Sequence, residues 1–344
     1  MRKRIFLIRW INFTLSLVVL IIVTISCQNN SKKVELASEV ITPVSAILTI
    51  EDTVFTAQNV QRILGFLASD SLKGRESGSK GLEKAAHFIK NELERYGIAP
   101  YKKSYLDTFL IEQDTTYNVL GFLKGSDPQL SEEIVIIGAH YDHIGKAKKV
   151  DNDSIANGAN DNASGTTAVL LLANYFAKRK TNKRSILFAL FSAEEKGLLG
   201  SKDLASKLEK SSEKVYFMLN FEMIGVPLIN KSYEAYITGF NMSNMADKFN
   251  KYSAHERLIG YLPKAQEFGL FKRSDNFPVF EILKIPSQTI STFDFTNYDY
   301  YHHADDEITE INFDFMAKLM EKLVPSVETL ISTPTREIQL NTSK

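Results

Sequence analysis

The residues with the most chemical potential in this chain are Glu194 and Glu195, adjacent carboxylates that stand just past the apolar run ILFALF at 186–191, after Ser192 and Ala193. Neighbouring side chains project differently, so such a pair can divide its work, one carboxylate binding a metal and the other moving a proton. Further donors recur along the chain. His140, Asp142 and His143 stand in HYDH, Asp161 in GANDNASG, Glu222 in NFEMIG, and His302 and His303 in YYHHADDE. Zinc takes imidazole and carboxylate ligands, and its catalytic sites keep one coordination position for water. Two histidines and three carboxylates suffice for two ions if one carboxylate bridges them. A metal pair about 3.5–4 Å apart can hold an attacking hydroxide and polarise a carbonyl. Singly, each segment has an ordinary reading. A Gly/Asn/Asp loop before a helix is a turn and cap, Asp161 can complement a helix dipole, and a double histidine is common on surfaces. Five such segments in series point to a metal centre.

The elements that must position these groups are mostly strands. EIVIIGAH at 133–140 ends in His140, the strand at 185–191 runs into Glu194 and Glu195, and KVYFMLNF at 214–221 hands on to Glu222. Apolar runs without alternation mark strands covered on both faces, and open α/β sheets place their sites at strand carboxyl ends. Helical periodicity appears at 57–69, 80–95 (stopped by Gly97), 163–179, 242–253 and 308–332, with a helix or turn at 197–209. Further strands are expected at 117–124, 233–239 and 284–291. A turn, GSDPQ, joins 117–124 to 133–140 and predicts a hairpin. Interleaved helices and strands predict a three-layer α/β/α sandwich around a central mixed, mostly parallel β-sheet. The polar loop 144–157 and the segment 262–280 are expected to set specificity, and Phe268, Phe271, Phe277 and Phe280 in the latter either line an apolar pocket or, for most of them, pack into the core.

With 344 residues the chain has enough length for a substantial core. Its formal charge is zero, but the first 26 residues carry Arg2, Lys3, Arg4 and Arg9 and no acid. Setting those four aside leaves 37 basic against 41 acidic residues, and no basic stripe interleaved with aromatics, so no nucleic-acid partner is expected. The basic start, the apolar run at 15–23 and the polar QNNSKK read as a targeting segment. Cys27 is the single cysteine, which excludes an intrachain disulfide and a Cys-based zinc site. Its place behind Ser26 resembles a bacterial lipobox. The expectation is a signal peptide over 1–26 and a tether over 27–52 lipidated on Cys27, with a short strand at 44–50. A catalytic domain over 53–335 and a tail over 336–344 follow. The protein would then sit in the cell envelope, anchored to a membrane.

Taken together, LKGRESGSKGLEKAAHFI, NVLGFLKGSDP, IVIIGAHYDHIG, NGANDNASG, FSAEEKGLLGS, LNFEMIG, SDNFPVF and YHHADDE resemble the M28 family of zinc peptidases, the aminopeptidase and glutamate-carboxypeptidase relatives. The similarity runs from about residue 60 to 330 and implies a zinc-exopeptidase fold, two Zn2+ ions per chain and a peptide substrate. It implies Asp161 as the bridging ligand, His140 and Glu222 on one zinc, and Glu195 and His302 on the other. Glu194 would be the general base, passing a proton from water to the leaving amine. Asp142 would orient His140, as carboxylate partners of metal-bound imidazoles do. Of the doublet, His302 matches because it follows Tyr301 and lies four residues before Asp306. His143 is placed beside the ligands rather than among them, and Asp275 beside the cleft. The family commonly has Asp where this chain has Glu222, which bears on occupancy of the His140 metal. Only about twenty residues separate Gly97 from Tyr117, so no inserted lobe fits there. The activity implied is exopeptidase, foremost aminopeptidase. Carboxypeptidase action, single-zinc glutaminyl cyclisation and a non-catalytic binding role on the same fold are the alternatives.

Overall fold

The computed structural model describes residues 53–341 apart from positions 112 and 256. The expected signal peptide, Cys27, the tether with its strand at 44–50, and residues 342–344 lie outside the described residues. Among the described residues no helix is long and apolar enough to cross a membrane.

The chain opens with α1 (Ala57–Leu67) and α2 (Lys80–Arg95), then β1 (Ala99–Pro100), β2 (Leu106–Ile111), β3 (Asp114–Leu123) and β4 (Glu133–His140). A small hairpin, β5 (Lys146–Val150) and β6 (Asp153–Ile155), precedes α3 (Gly165–Arg179). Next come β7 (Ser185–Phe191), α4 (Leu199–Glu209), β8 (Lys214–Glu222), β9 (Ala235–Ile237) and α5 (Met245–Tyr252). The last stretch holds β10 (Ile259–Gly260), α6 (Pro263–Glu267), α7 (Asn276–Leu283), β11 (Ser287–Ser291) and α8 (Phe313–Ser332). Helix starts are set by side chains that accept otherwise orphaned N–H groups: Thr56 from Asn59, Ser79 from Leu82, and Asn312 from Phe315.

Nine strands form one sheet in the order β1-β3-β7-β4-β8-β11-β9-β10, with β2 also paired to β3. The central strands β7, β4, β8 and β11 run parallel. Antiparallel pairs lie outward, β3 against β7, β1 and β2, and β9 against β11. Alternate residues of the central strands enter two separate cores. Val135, Ile137, Ala139, Ile186, Phe188 and Leu190 join the core under α1, α2, α3, α5 and α8. Ile134, Ile136, Leu187, Ala189 and Phe191 pack on the other face with Leu204, Ala205 and Leu208 of α4 and Val279 of α7. The sheet is thus covered on both sides, which explains the unbroken apolar runs and bears out the three-layer sandwich with a mixed sheet.

One expectation about connections fails. The strands at 117–124 and 133–140 form no hairpin: β7 lies between β3 and β4. Residues 134–139 of β4 are all buried, and such a strand needs a neighbour on each side, supplied by β7 and β8. The hairpin partner of β3 is instead β2, a half-exposed strand with weak apolar patterning. The segment 262–280 is partly helical. It contains α6 and the start of α7, with Pro278 in that helix's first turn, where proline is tolerated.

Candidate active site

The strands β7, β4 and β8 are neighbours and end at the same edge, so His140, the pair Glu194–Glu195 and Glu222 converge without long excursions of the chain. Tyr141 donates its N–H to Phe191 O at 2.8 Å, which ties the exit of β4 to that of β7. The loop at 158–164 is stitched to the exit of β8 by its own polar side chains. Asn162 Oδ1 accepts Met223 N–H at 3.1 Å, Ser164 Oγ accepts Ile224 N–H at 3.0 Å, and Asn160 Oδ1 accepts Gly225 N–H at 2.8 Å. These asparagines and the serine are therefore more than a generic helix entry. They satisfy three successive backbone donors after β8 and thereby fix Asp161 beside Glu222.

Asp161 stands between two groups of donors. His140 Nε2 lies 3.4 Å from Asp161 Oδ1 and 3.0 Å from Glu222 Oε1. His302 Nε2 lies 3.2 Å from Asp161 Oδ2 and 3.2 Å from Glu195 Oε2. Candidate ligand atoms in each group, His140 with Asp161 and Glu222, and His302 with Asp161, Glu195 and His143, lie within 4.8 Å of one another. His303 turns away to Asp305, with Nδ1 3.4 Å from that carboxylate. Glu222 uses its second oxygen to accept the Ser274 hydroxyl at 2.7 Å. For His140 Nδ1 the nearer partner is the Asp142 carbonyl at 3.1 Å, with the Asp142 carboxylate at 3.6 Å. That carboxylate also accepts Glu194 N–H at 3.2 Å and the Ser77 hydroxyl at 2.8 Å.

The electrostatics follow from packing several carboxylates in a buried place. Burial pushes the Glu194 carboxyl well above its ordinary range; His140 opposes this, while Glu222, Asp275 and Glu195 reinforce it. Burial, with Asp142 and Glu222 nearby, also pushes Asp275 up, to about 7, against the pull of His140. Asp161 goes the other way: burial would raise it, but His143, His140 and His302 hold it well below the usual carboxylate range. Burial lowers His302, yet its hydrogen bonds to Asp161 and Glu195 prevail and bring it to about 10. Such a cluster demands positive charge, and imidazoles alternating with carboxylates suit a divalent ion of borderline softness such as zinc.

Beyond the donors, the cleft is lined by Met223, Leu270, Phe293, Phe295, Tyr301 and Arg273. The expected pocket aromatics are elsewhere. Phe271 packs against Phe277 and Phe280, and Phe268 packs edge-on against Phe295 without lining the cleft itself. Phe277 and Phe280 belong to α7, which covers the sheet through Val279, and Phe293 and Phe295, just beyond β11, take the lining role. The segment 144–157 forms the β5–β6 hairpin and contributes no residue to the lining. The sequence reading also missed Arg75, wholly buried, which donates to the carbonyls of Tyr141, Asn157 and Gly158 and so joins the His140 and Asp161 loops. Its signal was the GRESG segment, where a charged residue stands between glycines ahead of a helix.

A family model described as Peptidase family M28 matches residues 118–326. Among curated proteins the chain is similar to a probable leucine aminopeptidase 2 of Arthroderma benhamiae, 34% identical over 139 residues. That match covers 40% of this chain and 26% of the relative, so the chain spans about a quarter of that relative's length. Among solved structures it is similar to the LapA aminopeptidase of Legionella pneumophila, with a TM-score of 0.63, 20% identity, and coverage of 83% of this chain and 76% of that one. It is also similar to the glutaminyl cyclase of Porphyromonas gingivalis, with a TM-score of 0.60, 16% identity, and coverage of 80% and 99%. At these identities the two structures establish the fold.

Proposed function

This chain belongs to peptidase family M28, and on that premise we propose that it is a zinc-dependent exopeptidase, foremost an aminopeptidase, that hydrolyses terminal peptide bonds. The observation that carries this reading is the division of Asp161, one oxygen facing His140 and the other His302. His140, Asp161 and Glu222 would hold one zinc, and Asp161, Glu195 and His302 a second. Bound there, zinc supplies Lewis acidity toward the scissile carbonyl and acidifies water to near neutrality. Glu194 takes a proton from water and returns it to the leaving amine, a two-way transfer favoured by a carboxyl that burial raises above its ordinary range. Asp142 serves it by fixing the Glu194 main chain and by standing behind His140. All four carboxylates of the cleft are assigned to the zincs and the base, so the preference for an amino terminus follows the leucine aminopeptidase name of the fungal relative rather than the charge of the cleft.

The test is zinc content per chain together with release of an aminoacyl fluorophore, for wild type and Glu194→Gln. Two zincs, and activity lost in a variant that keeps them, support the reading. One zinc directs attention to Glu222 and to glutaminyl cyclisation, and a folded protein with neither metal nor turnover overturns the enzyme. We further propose an envelope lipoprotein acylated on Cys27, on the strength of the N-terminal residues. Incorporation of labelled palmitate in wild type and in Cys27→Ser tests it, and equal labelling overturns it.

A further inference from the structure

His143 lies three residues past His140, is wholly buried, and is held from several sides. Its main-chain N–H donates to Arg75 O at 3.2 Å, and its ring meets that of His302 edge-on at 5.6 Å. Gly158 closes the remaining side: its φ is +58°, and a Cβ there would come 2.6 Å from the His143 Cδ2 atom. The ring therefore has one place to sit. In that place Nδ1 lies 3.0 Å from Glu195 Oε1 and 3.8 Å from Asp161 Oδ2.

The two oxygens of Glu195 are thus addressed by different residues. Oε2 faces His302 Nε2, which also faces Asp161 Oδ2, whereas Oε1 faces His143. His143 Nε2 is buried without a hydrogen-bond partner. Metal-bound imidazoles almost always donate their other ring N–H to an acceptor, and here there is none. Only Nδ1 has an acceptor, so the proton belongs on Nδ1 and is donated to Glu195 Oε1. A ring protonated on Nδ1 offers that atom to no metal.

We propose that His143 is a positioning residue for Glu195: its Nδ1–H occupies Oε1, so that Oε2 alone is presented to the metal shared by Asp161 and His302. The second centre then has three protein ligands and keeps a place open for substrate or water, where a second imidazole as fourth ligand would close it. Freed of His143, Glu195 can rotate or engage through both oxygens. The inference rests on the metallopeptidase reading above.

The experiment is zinc affinity by chelator competition, with visible spectra of the cobalt-substituted protein, for wild type, His143→Leu and His143→Asn. The asparagine amide can take the place of Nδ1–H. Hydrogen-bond partners of metal ligands are typically worth about 10–100-fold in affinity. His143→Leu is expected to lose that much at one of two sites, and His143→Asn to recover most of it with wild-type cobalt bands. Wild-type affinity in His143→Leu overturns the proposal. Altered cobalt bands and unrecovered affinity in His143→Asn overturn it in favour of direct ligation. If His143→Leu does not fold, His143→Asn decides by those same two readouts. Failure of wild type to bind any metal overturns the metallopeptidase reading itself, a result distinct from all of these.

Discussion

Asp306 accepts the main-chain N–H of Asp161 at 3.0 Å, and with its other oxygen that of Asn160 at 2.7 Å. The Tyr298 hydroxyl, at 2.5 Å, completes its surroundings. A buried carboxylate outside the cleft lining thus grips the backbone of the residue that stands between the two donor groups. Asp306→Asn supplies one acceptor where two are needed and turns an amide N–H against a backbone N–H. A buried donor left unpaired costs about 1–3 kcal/mol, and a displaced Asp161 weakens both zinc positions. We predict a folded variant with zinc affinity reduced about 10–100-fold, measured by chelator competition, with circular dichroism unchanged. Unaltered affinity would show that Asp161 holds its place without the clamp.

The cleft wall makes a separate prediction about preference. Phe293 and Phe295 pack at 4.4 Å between ring centroids, and Tyr301 stacks on Phe293. This wall suits an apolar terminal side chain. Phe295→Ala should lower kcat/KM for leucyl and phenylalanyl substrates about 10-fold or more, the scale of lost pocket contacts, and leave alanyl substrates little changed. Steady-state kinetics on the three fluorogenic substrates checks this, and a uniform loss would place Phe295 outside the specificity pocket.

What the sequence made legible was whatever a short segment carries by itself. His140 and Glu222 close apolar runs that have to be central strands, Glu194 and Glu195 stand a turn beyond a third, and the asparagine-rich loop around Asp161 opens a helix. The bounds of α2 and β7 follow directly from their caps and apolar runs. What stayed hidden depends on partners distant in sequence. Arg75 reaches carbonyls 66 and 82 residues onward, and His143 meets Glu195 across 52. The strand β2 shows half-exposed residues without clean alternation, and α7 carries a proline, so local pattern argued against both. The false hairpin arose because a turn signal reports a reversal of the chain, while strand pairing is decided by which apolar faces need cover.

Arg75 is an unusual burial, since its guanidinium finds carbonyls rather than a carboxylate. Nε donates to Tyr141 O at 2.9 Å, Nη2 to Gly158 O at 3.1 Å, and Nη1 to Asn157 O at 2.5 Å and to Leu67 O. Burial lowers its pKa to about 10, while Asp306, Asp161, Asp142 and Glu195 pull upward and keep it charged at neutral pH. Arg75→Met orphans several buried acceptors, so the metal-free protein should lose at least about 3 kcal/mol. Arg75→Lys should recover only part, because a lysine ammonium lacks the planar fork that reaches several carbonyls at once. Urea unfolding in the presence of a chelator measures both, and a lysine variant as stable as wild type would refute the bridging role.

Far from the cleft, Glu92 of α2 contributes to the acid sensitivity of the fold. Burial would raise its carboxyl, but hydrogen bonds from Arg62, Arg95 and Tyr96 outweigh burial and hold it at about 2, below its ordinary 4.5. Arg62 donates at 2.9 and 2.7 Å, one nitrogen to each oxygen, and so links α1 to α2. A carboxyl lowered on folding adds stability that is complete above pH 4.5 and is lost as pH falls toward 2. Both arginines are largely exposed, at 42% and 55%, so solvent screening reduces the pair to about 1–2 kcal/mol. Glu92→Gln should therefore lower stability at pH 7 by that amount and flatten the decline between pH 4.5 and 2. Thermal unfolding across that window, for wild type and variant, reads both effects. Parallel pH profiles would assign the acid sensitivity to other carboxylates.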